Sequence, residues 1–329
     1  MDRSDRDARL CRWVAQRLGT QAVLEPLAGD ASFRRYFRVC YGERRFVLMD
    51  APPPMEDVAP FLRVRAWLES AGVRVPALYG VNEAEGMLLL EDLGDTSWAS
   101  HRSAGGDLSP LFEDALRQLH QLQAADTASI RLPHFDQARM LRECALFCDW
   151  YLPCVARVRL DSSSRTTMLQ ALSPYLRRLS ALPRVPVHLD FHSRNLMLPQ
   201  GRTPLGVIDF QDAMFGPVTY DLASLLYDCY QDYSEAMRRD WSRRFFDALP
   251  ASLASYFTDF EAWHRMLRLT AWQRHIKAIG IFARLAYRDG KRQFLDEIPL
   301  TRKHLMEEMD ALAIHDAWLA LLQAPPREA

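Results

Sequence analysis

The chain has 329 residues, 49% of them hydrophobic and 25% charged, with a formal net charge of −1. That length exceeds what one hydrophobic core usually serves, so two lobes are expected. The near-neutral balance gives no electrostatic case for nucleic acid, and no apolar run approaches the roughly 18 residues that a membrane span requires.

The opening stretch "MDRSDRDARL" is charged and lacks the apolar segment of a secretory leader. Six cysteines are scattered without a CxxC pair, so a reducing, cytoplasmic setting is expected. Residues 5–18 then read as a helix, with Leu10, Trp13, Val14 and Leu18 on one face and Gly19 to end it. The period changes to that of strands in "AVLEPL", "SFRRYFRVCY" and "RRFVLMD", with Gly42 in the turn between the last two. A second helix is expected over 56–71, followed by the strands "ALYGV" and "GMLLLEDLG". A small β-rich lobe therefore ends near residue 92, and residues 93–329 form a larger lobe.

The larger lobe carries helical periodicity at 109–124, 136–151 and 164–180. Cys144 and Cys148 in this region read as small buried hydrophobes. The stretch 187–216 is different: "VPVHLDF", "NLML" and "PLGVIDF" are short extended pieces separated by loops. Helices resume after Pro217, through "YDLASLLYDCY", 235–248 and 259–289.

The reactive residues concentrate in "VHLDFHSRNL", where His188, Asp190 and Asn195 stand in the pattern HxDx4N. Asp209, in "GVIDFQD", follows at the end of a short apolar strand. Phosphoryl transfer needs this set: one carboxylate to take the proton of the attacking hydroxyl, and a separate amide and carboxylate to hold Mg²⁺ against nucleotide phosphates. Asp190 is the expected base, and Asn195 and Asp209 the expected metal ligands. His188 and His192 also form an HxxxH, but the further ligands of a zinc site are missing and Pro186 precedes the pair.

"HLDFHSRN" together with "IDF" and "GPVTYDLA" resembles the catalytic loop and metal-binding segment of the aminoglycoside-phosphotransferase-like family, relatives of the protein kinases. More narrowly, "GDASFRRYFRV", "LLLEDLGD" and "QRHIKAIGIFARLAYRDGK" are similar to bacterial kinases that phosphorylate the anomeric hydroxyl of N-acetylmuramic acid and N-acetylglucosamine in cell-wall recycling. The resemblance implies an α+β, bilobal, protein-kinase-like fold, ATP and Mg²⁺ as cofactors, and a small amino sugar as partner, with no protein partner indicated. It leaves two rivals: a kinase of aminoglycosides or other small alcohols, and a nucleotide-binding pseudokinase acting as a regulatory module.

By the same resemblance, "AGDASFRRYF" is the phosphate-covering loop, with Gly29 and Ser32 as its contacts. "MLLLEDLG" is the hinge, where adenine would meet backbone groups near Glu91 to Leu93. His188 and Asp221 would support the catalytic loop. The family's strand lysine is missing: Met49 stands at its position and no lysine occurs in residues 1–276. Arg34, Arg35 and Arg45 are the candidate replacements, because guanidinium forks suit phosphate oxygens. For the acceptor, Glu143, Trp150 and Tyr151 offer polar groups with an aromatic platform. Residues 264–304 hold ten Lys or Arg against three Asp or Glu, so Arg274 and Lys277 are candidate contacts for a carboxylate-bearing sugar.

Overall fold

The computed structural model describes residues 3–27 and 33–326. Gly29 and Ser32, expected in the phosphate loop, lie outside them. Helix α1 (Arg3–Leu18) precedes five strands: β1 (Val23–Pro26), β2 (Arg35–Tyr41), β3 (Arg44–Asp50), β4 (Leu78–Asn82) and β5 (Met87–Glu91). They pair antiparallel in the order β1-β2-β3-β5-β4. Helix α2 (Ala59–Ser70) lies between β3 and β4 in the chain. It starts later than periodicity predicts, because the Asp57 carboxylate accepts from the Ala59 N–H and a proline sits in the first turn.

Strand alternation divides the sheet into two faces. One carries Val39, Phe46, Leu48, Met87 and Leu89 and is covered by Leu10, Trp13 and Val14 of α1. The other presents Met49, Leu88 and Leu90 to a core shared with Phe61, Val64, Trp67 and Leu68 of α2. Strand β5 therefore reads as an unbroken apolar run, as a strand covered on both faces must. Each large apolar side chain removed from water here contributes about 1.5–3 kcal/mol.

The remainder is mostly helical: α3 (Trp98–Ser103), α4 (Ser109–Gln123), α5 (Gln137–Leu146), a π turn at Phe147–Tyr151, the short α6 (Leu152–Cys154) and α7 (Ser162–Ser180). Four short strands follow: β6 (Arg184–Val187), β7 (Leu196–Met197), β8 (Gly206–Val207) and β9 (Met214–Pro217). The chain closes with α8 (Tyr220–Leu226), α9 (Glu235–Asp247), α10 (Ala251–Ala254), α11 (Phe260–Arg288) and α12 (Ile298–Leu312). The helix expected over 136–151 is thus interrupted by the π turn. At its start α11 packs tightly against the chain: a Cβ on Gly280 would stand 2.5 Å from both the Leu146 carbonyl carbon and the Phe147 nitrogen. Cys144 and Cys148 are buried nearby as free thiols.

Candidate active site

Strand β6 ends at Val187, paired with Met214 of β9, and releases the chain into the loop 188–195. Asp221, fully buried at the start of α8, accepts hydrogen bonds from the His188 N–H at 2.6 Å and the Leu189 N–H at 3.0 Å. Leu189 adopts φ +79°, a left-handed conformation that costs a non-glycine residue about 1–3 kcal/mol. The two bonds to Asp221, with Ser224 Oγ donating to the Leu189 carbonyl at 3.3 Å, hold that turn in place. Burial raises the Asp221 carboxyl above its usual value, against the pull of His188 and the two amides. The His188 ring joins the loop to the next hairpin: Nδ1 accepts from the Asp190 N–H at 3.3 Å, so Nε2 is the nitrogen that donates to the Ile208 carbonyl at 3.0 Å.

Strands β7 and β8 form that hairpin, with Leu196 opposite Val207 and Met197 opposite Gly206. The Ile208 N–H bonds to the Asn195 carbonyl at 3.0 Å, which sets Asp209 beside Asn195. Asp209 has φ +64°, and its Oδ1 accepts from Gln211 Nε2 at 2.7 Å. Asn195 gives its Nδ2 to the Asp190 carbonyl at 3.0 Å, leaving Oδ1 as the outward oxygen.

Asn195 and Asp209 both line a cleft of about 340 Å³ between the sheet and the helical lobe. Its apolar wall includes Leu27, Val47, Leu90, Met197 and Ile208, and its rim runs from Glu91 to Asp95. The Glu91 N–H is already given to the Ala77 carbonyl at 2.8 Å, and its carboxylate is held by Arg74 at 2.6 and 2.7 Å. Leu93 lines the cleft over Gly206, where a Cβ would come within 2.5 Å of it.

On the other side of Asp190 stand charged groups from α5 and α11. Lys277 Nζ lies 3.8 Å from Asp190 Oδ1 and 3.8 Å from Glu143 Oε2. The side chains of Lys277 and Glu143 are nearly buried, at 12% and 10% exposure, whereas that of Asp190 is 43% exposed. Partial withdrawal from water opposes ionisation of Asp190, but the Lys277 ammonium, with His192, Arg274 and His188, outweighs it and holds the carboxyl at about 2. Burial opposes the Lys277 charge as well, and Glu143, Tyr220 and Asp190 raise it above its usual value. Several polar atoms of this cluster are buried without a hydrogen-bond partner: Glu143 Oε2, Tyr220 Oη, His192 Nδ1, and Nε and Nη1 of Arg274.

The phosphotransferase enzyme family model matches residues 23–256. The chain belongs to this family. The phosphotransferase is 40% identical over 289 residues to an N-acetylmuramate/N-acetylglucosamine kinase of Pseudomonas aeruginosa, covering 86% of this chain and 83% of that one. It is 37% identical over 276 residues to the enzyme of the same name from Pseudomonas putida, covering 84% and 80%. Among solved structures, an apo aminoglycoside phosphotransferase superposes with a TM-score of 0.61 at 19% identity, covering 93% of this chain and 100% of that one. The fold is therefore the bilobal, kinase-like one expected.

The candidate residues of the phosphotransferase do not all gather at the site. His188, Asp190 and Asn195 on the loop, Asp209 after β8 and Asp221 on α8 form one hydrogen-bonded cluster, and Glu143, Arg274 and Lys277 adjoin it. Trp150, half-buried on the π turn, packs against the hydrophobic core instead. Tyr151 is fully buried, with its hydroxyl donating to the Ala324 carbonyl at 2.6 Å, so it offers no sugar platform. Arg35 is corrected too. It points to the α1 side of β2, where it binds Asp50 at 2.6 Å and Asp7 at 2.7 Å. Arg45 is exposed on β3. Sequence reasoning passed over Tyr220 and Arg38, and weighed His192 only as half of an HxxxH. Arg38 lines the cleft and clamps the hinge through Asp92 at 2.7 Å and Asp95 at 2.8 Å. Its place opposite Val47 on adjoining strands was the available signal.

Proposed function

We propose that this chain is an ATP-dependent kinase acting on the anomeric hydroxyl of N-acetylmuramic acid and N-acetylglucosamine in the cytoplasmic recycling of peptidoglycan sugars. The observation that carries the reaction type is the loop 188–195. It turns Asp190 toward Lys277 while sending Asn195 into the cleft that Asp209 also lines. The choice of sugar is supported by the named relatives and by the cations Lys277 and Arg274 beside the base, which suit an acceptor bearing a carboxylate and repel a polycation.

In this reading ATP lies in the cleft, with adenine near Leu93 at the hinge. Residues 1–92 form the nucleotide lobe and residues 93–329 supply the catalytic and sugar-binding groups. Asn195 and Asp209 fit Mg²⁺, since both present hard oxygen donors on one wall, and a two-ligand site is completed by phosphate oxygens and water. Bound there, the ion would neutralise charge on the phosphates. The anomeric oxygen attacks the γ-phosphorus, the bond from that phosphorus to the bridging oxygen breaks, and ADP leaves. The hydroxyl proton passes to Asp190.

A carboxylate held at about 2 is ionised at every working pH. It orients the hydroxyl from the start and accepts the proton late, when the new O–P bond has made that proton acidic. Most of the acceleration then comes from in-line positioning and charge neutralisation. Lys277 stabilises the carboxylate while it is ionised. Glu143 holds Lys277 from the far side, and Arg274, whose buried Nε and Nη1 lack a hydrogen-bond partner, would meet the lactyl carboxylate of N-acetylmuramic acid. His188 and Asp221 position the loop. The apolar Met49 favours one other reading, a nucleotide-binding module without turnover.

The test is ³¹P and ¹H NMR of the protein with Mg-ATP and N-acetylmuramic acid, with kanamycin as the comparison. A new phosphorus signal coupled to the anomeric proton is expected, and kanamycin should give none. ATP that stays intact with both N-acetylmuramic acid and N-acetylglucosamine, and with kanamycin, would sink the sugar-kinase reading and leave the non-catalytic one.

A further inference from the structure

The sheet is fastened to the helical lobe on the side of β5 and β4. Leu88 and Leu90 share a core with that lobe, and the Arg74 carbonyl, just before β4, accepts from the Val207 N–H of β8 at 2.7 Å. Toward β2 the cleft separates the two. There Arg38, Asp92, Gly94 and Asp95 line the rim together. Arg38 belongs to the sheet, paired with Glu25 of β1 and Val47 of β3. Asp95 belongs to the other body. The Thr96 carbonyl next to it accepts from the Leu198 N–H at 2.7 Å, and Ser97 bridges to Met197 of β7, in the hairpin that follows Asn195. Between Asp92 and Asp95 stands Gly94, at φ +82°, with no atom within 4 Å of where a Cβ would be. The backbone has room to turn at that point.

The two carboxylates that Arg38 holds are unlike. Its Nε and Nη2 donate to Asp92 at 2.7 and 3.2 Å, and Asp92 Oδ1 also accepts from the Gly94 N–H at 2.9 Å. Its Nη1 and Nη2 donate to Asp95 at 3.1 and 2.8 Å. The Asp92 side chain is 5% exposed and that of Asp95 75%. A buried pair is hard to part, because each charge would be left uncompensated. An exposed pair parts readily, because water replaces the partner. Arg38–Asp92 is thus the fixed arm and Arg38–Asp95 the releasable one. Rocking the sheet away from the β7–β8 hairpin lengthens the second arm and spares the first.

We infer that the Arg38–Asp95 pair is a latch across the nucleotide cleft, closing the rim between the sheet and the large lobe and parting when a nucleotide enters or leaves. The inference rests on the nucleotide-binding half of the proposed function and not on the sugar.

Stopped-flow fluorescence with Mg²⁺ and N-methylanthraniloyl-ADP, without sugar and at physiological ionic strength, tests it. A latch that closes the empty and the loaded protein alike slows entry and exit together. Asp95→Asn should therefore raise the association and dissociation rate constants each about 2–5-fold, the scale of an exposed ion pair, and leave Kd nearly unchanged. Arg38→Lys keeps the charge but loses the fork that holds two carboxylates, and should shift both constants in the same direction. Faster dissociation alone in Asp95→Asn would make Asp95 a contact of the nucleotide. Faster association alone would make it a charge that repels the phosphates. Either of these, or unchanged rates, overturns the latch while nucleotide binding stands. A wild-type protein that does not bind the nucleotide overturns the latch and the nucleotide reading together.

Discussion

The ammonium of Lys277 on α11 lies 3.8 Å from the carboxylate of Asp190 on the catalytic loop. Two elements distant in the chain thereby set the charge state of the proposed base. The depressed Asp190 carboxyl predicts that this group does not limit activity until the pH nears 2. Lys277→Met removes the leading cause of that depression. The acid limb of the kcat/KM profile should move up in this variant, and kcat should fall. A pH–rate profile superposable on wild type would show that Lys277 does not act on the base.

Asp190→Asn keeps the shape of the side chain but cannot accept the proton. We expect kcat to fall about 10²–10⁴-fold, the usual contribution of a positioned general base. ATP affinity should stay within a few-fold of wild type, since the base lies on the acceptor side. Single-turnover kinetics with titrated ATP separate the two quantities.

Asp221→Asn replaces one of two acceptor oxygens by a donor that faces a backbone N–H. The variant should lose about 1.5–3 kcal/mol in urea unfolding, the scale of a hydrogen bond to a charged group. Turnover should fall as well, because Leu189 at φ +79° is released from its brace.

Gly280→Ala puts a methyl group 2.5 Å from backbone atoms of Leu146 and Phe147. Rigid backbone must shift, at about 1–3 kcal/mol. The shift separates α5 from α11 and hence Glu143 from Lys277. We expect a lower Tm and a raised KM for the sugar, with the KM for ATP unaffected.

Glu308 on α12 is fully buried beside Arg268 at 2.8 Å, yet burial prevails over that partner and pushes its carboxyl up to about 8. A folded-state value above the ordinary 4.5 means that the proton binds more tightly in the native protein. The associated stability is complete below 4.5 and is lost as the pH rises through about 8. Unfolding free energy should therefore decline between pH 5 and 9, and Glu308→Gln should flatten that decline. Equal slopes in wild type and variant would assign the decline to other groups.

Most elements and the loop 188–195 are legible in the residue pattern, because both are encoded locally. The 3.6-residue period marks α11 to within a residue at each end, at Phe260–Arg288. The alternation and the Gly42 turn mark β2 and β3. His188, Asp190 and Asn195 fall within one loop, so their spacing alone suggests their division of labour. Tertiary structure decided which charges meet. Glu143 and Lys277 come from helices far apart in the chain and touch because Gly280 lets α11 approach the π turn. Neither the break in the 136–151 helix nor the burial of Tyr151 has a local signal. Arg34 and Arg35 are neighbours of one kind, and no composition separates them. Strand pairing carries Arg35 to Asp50 and α1, whereas Arg34, one residue before β2, meets Glu56 from the segment before α2.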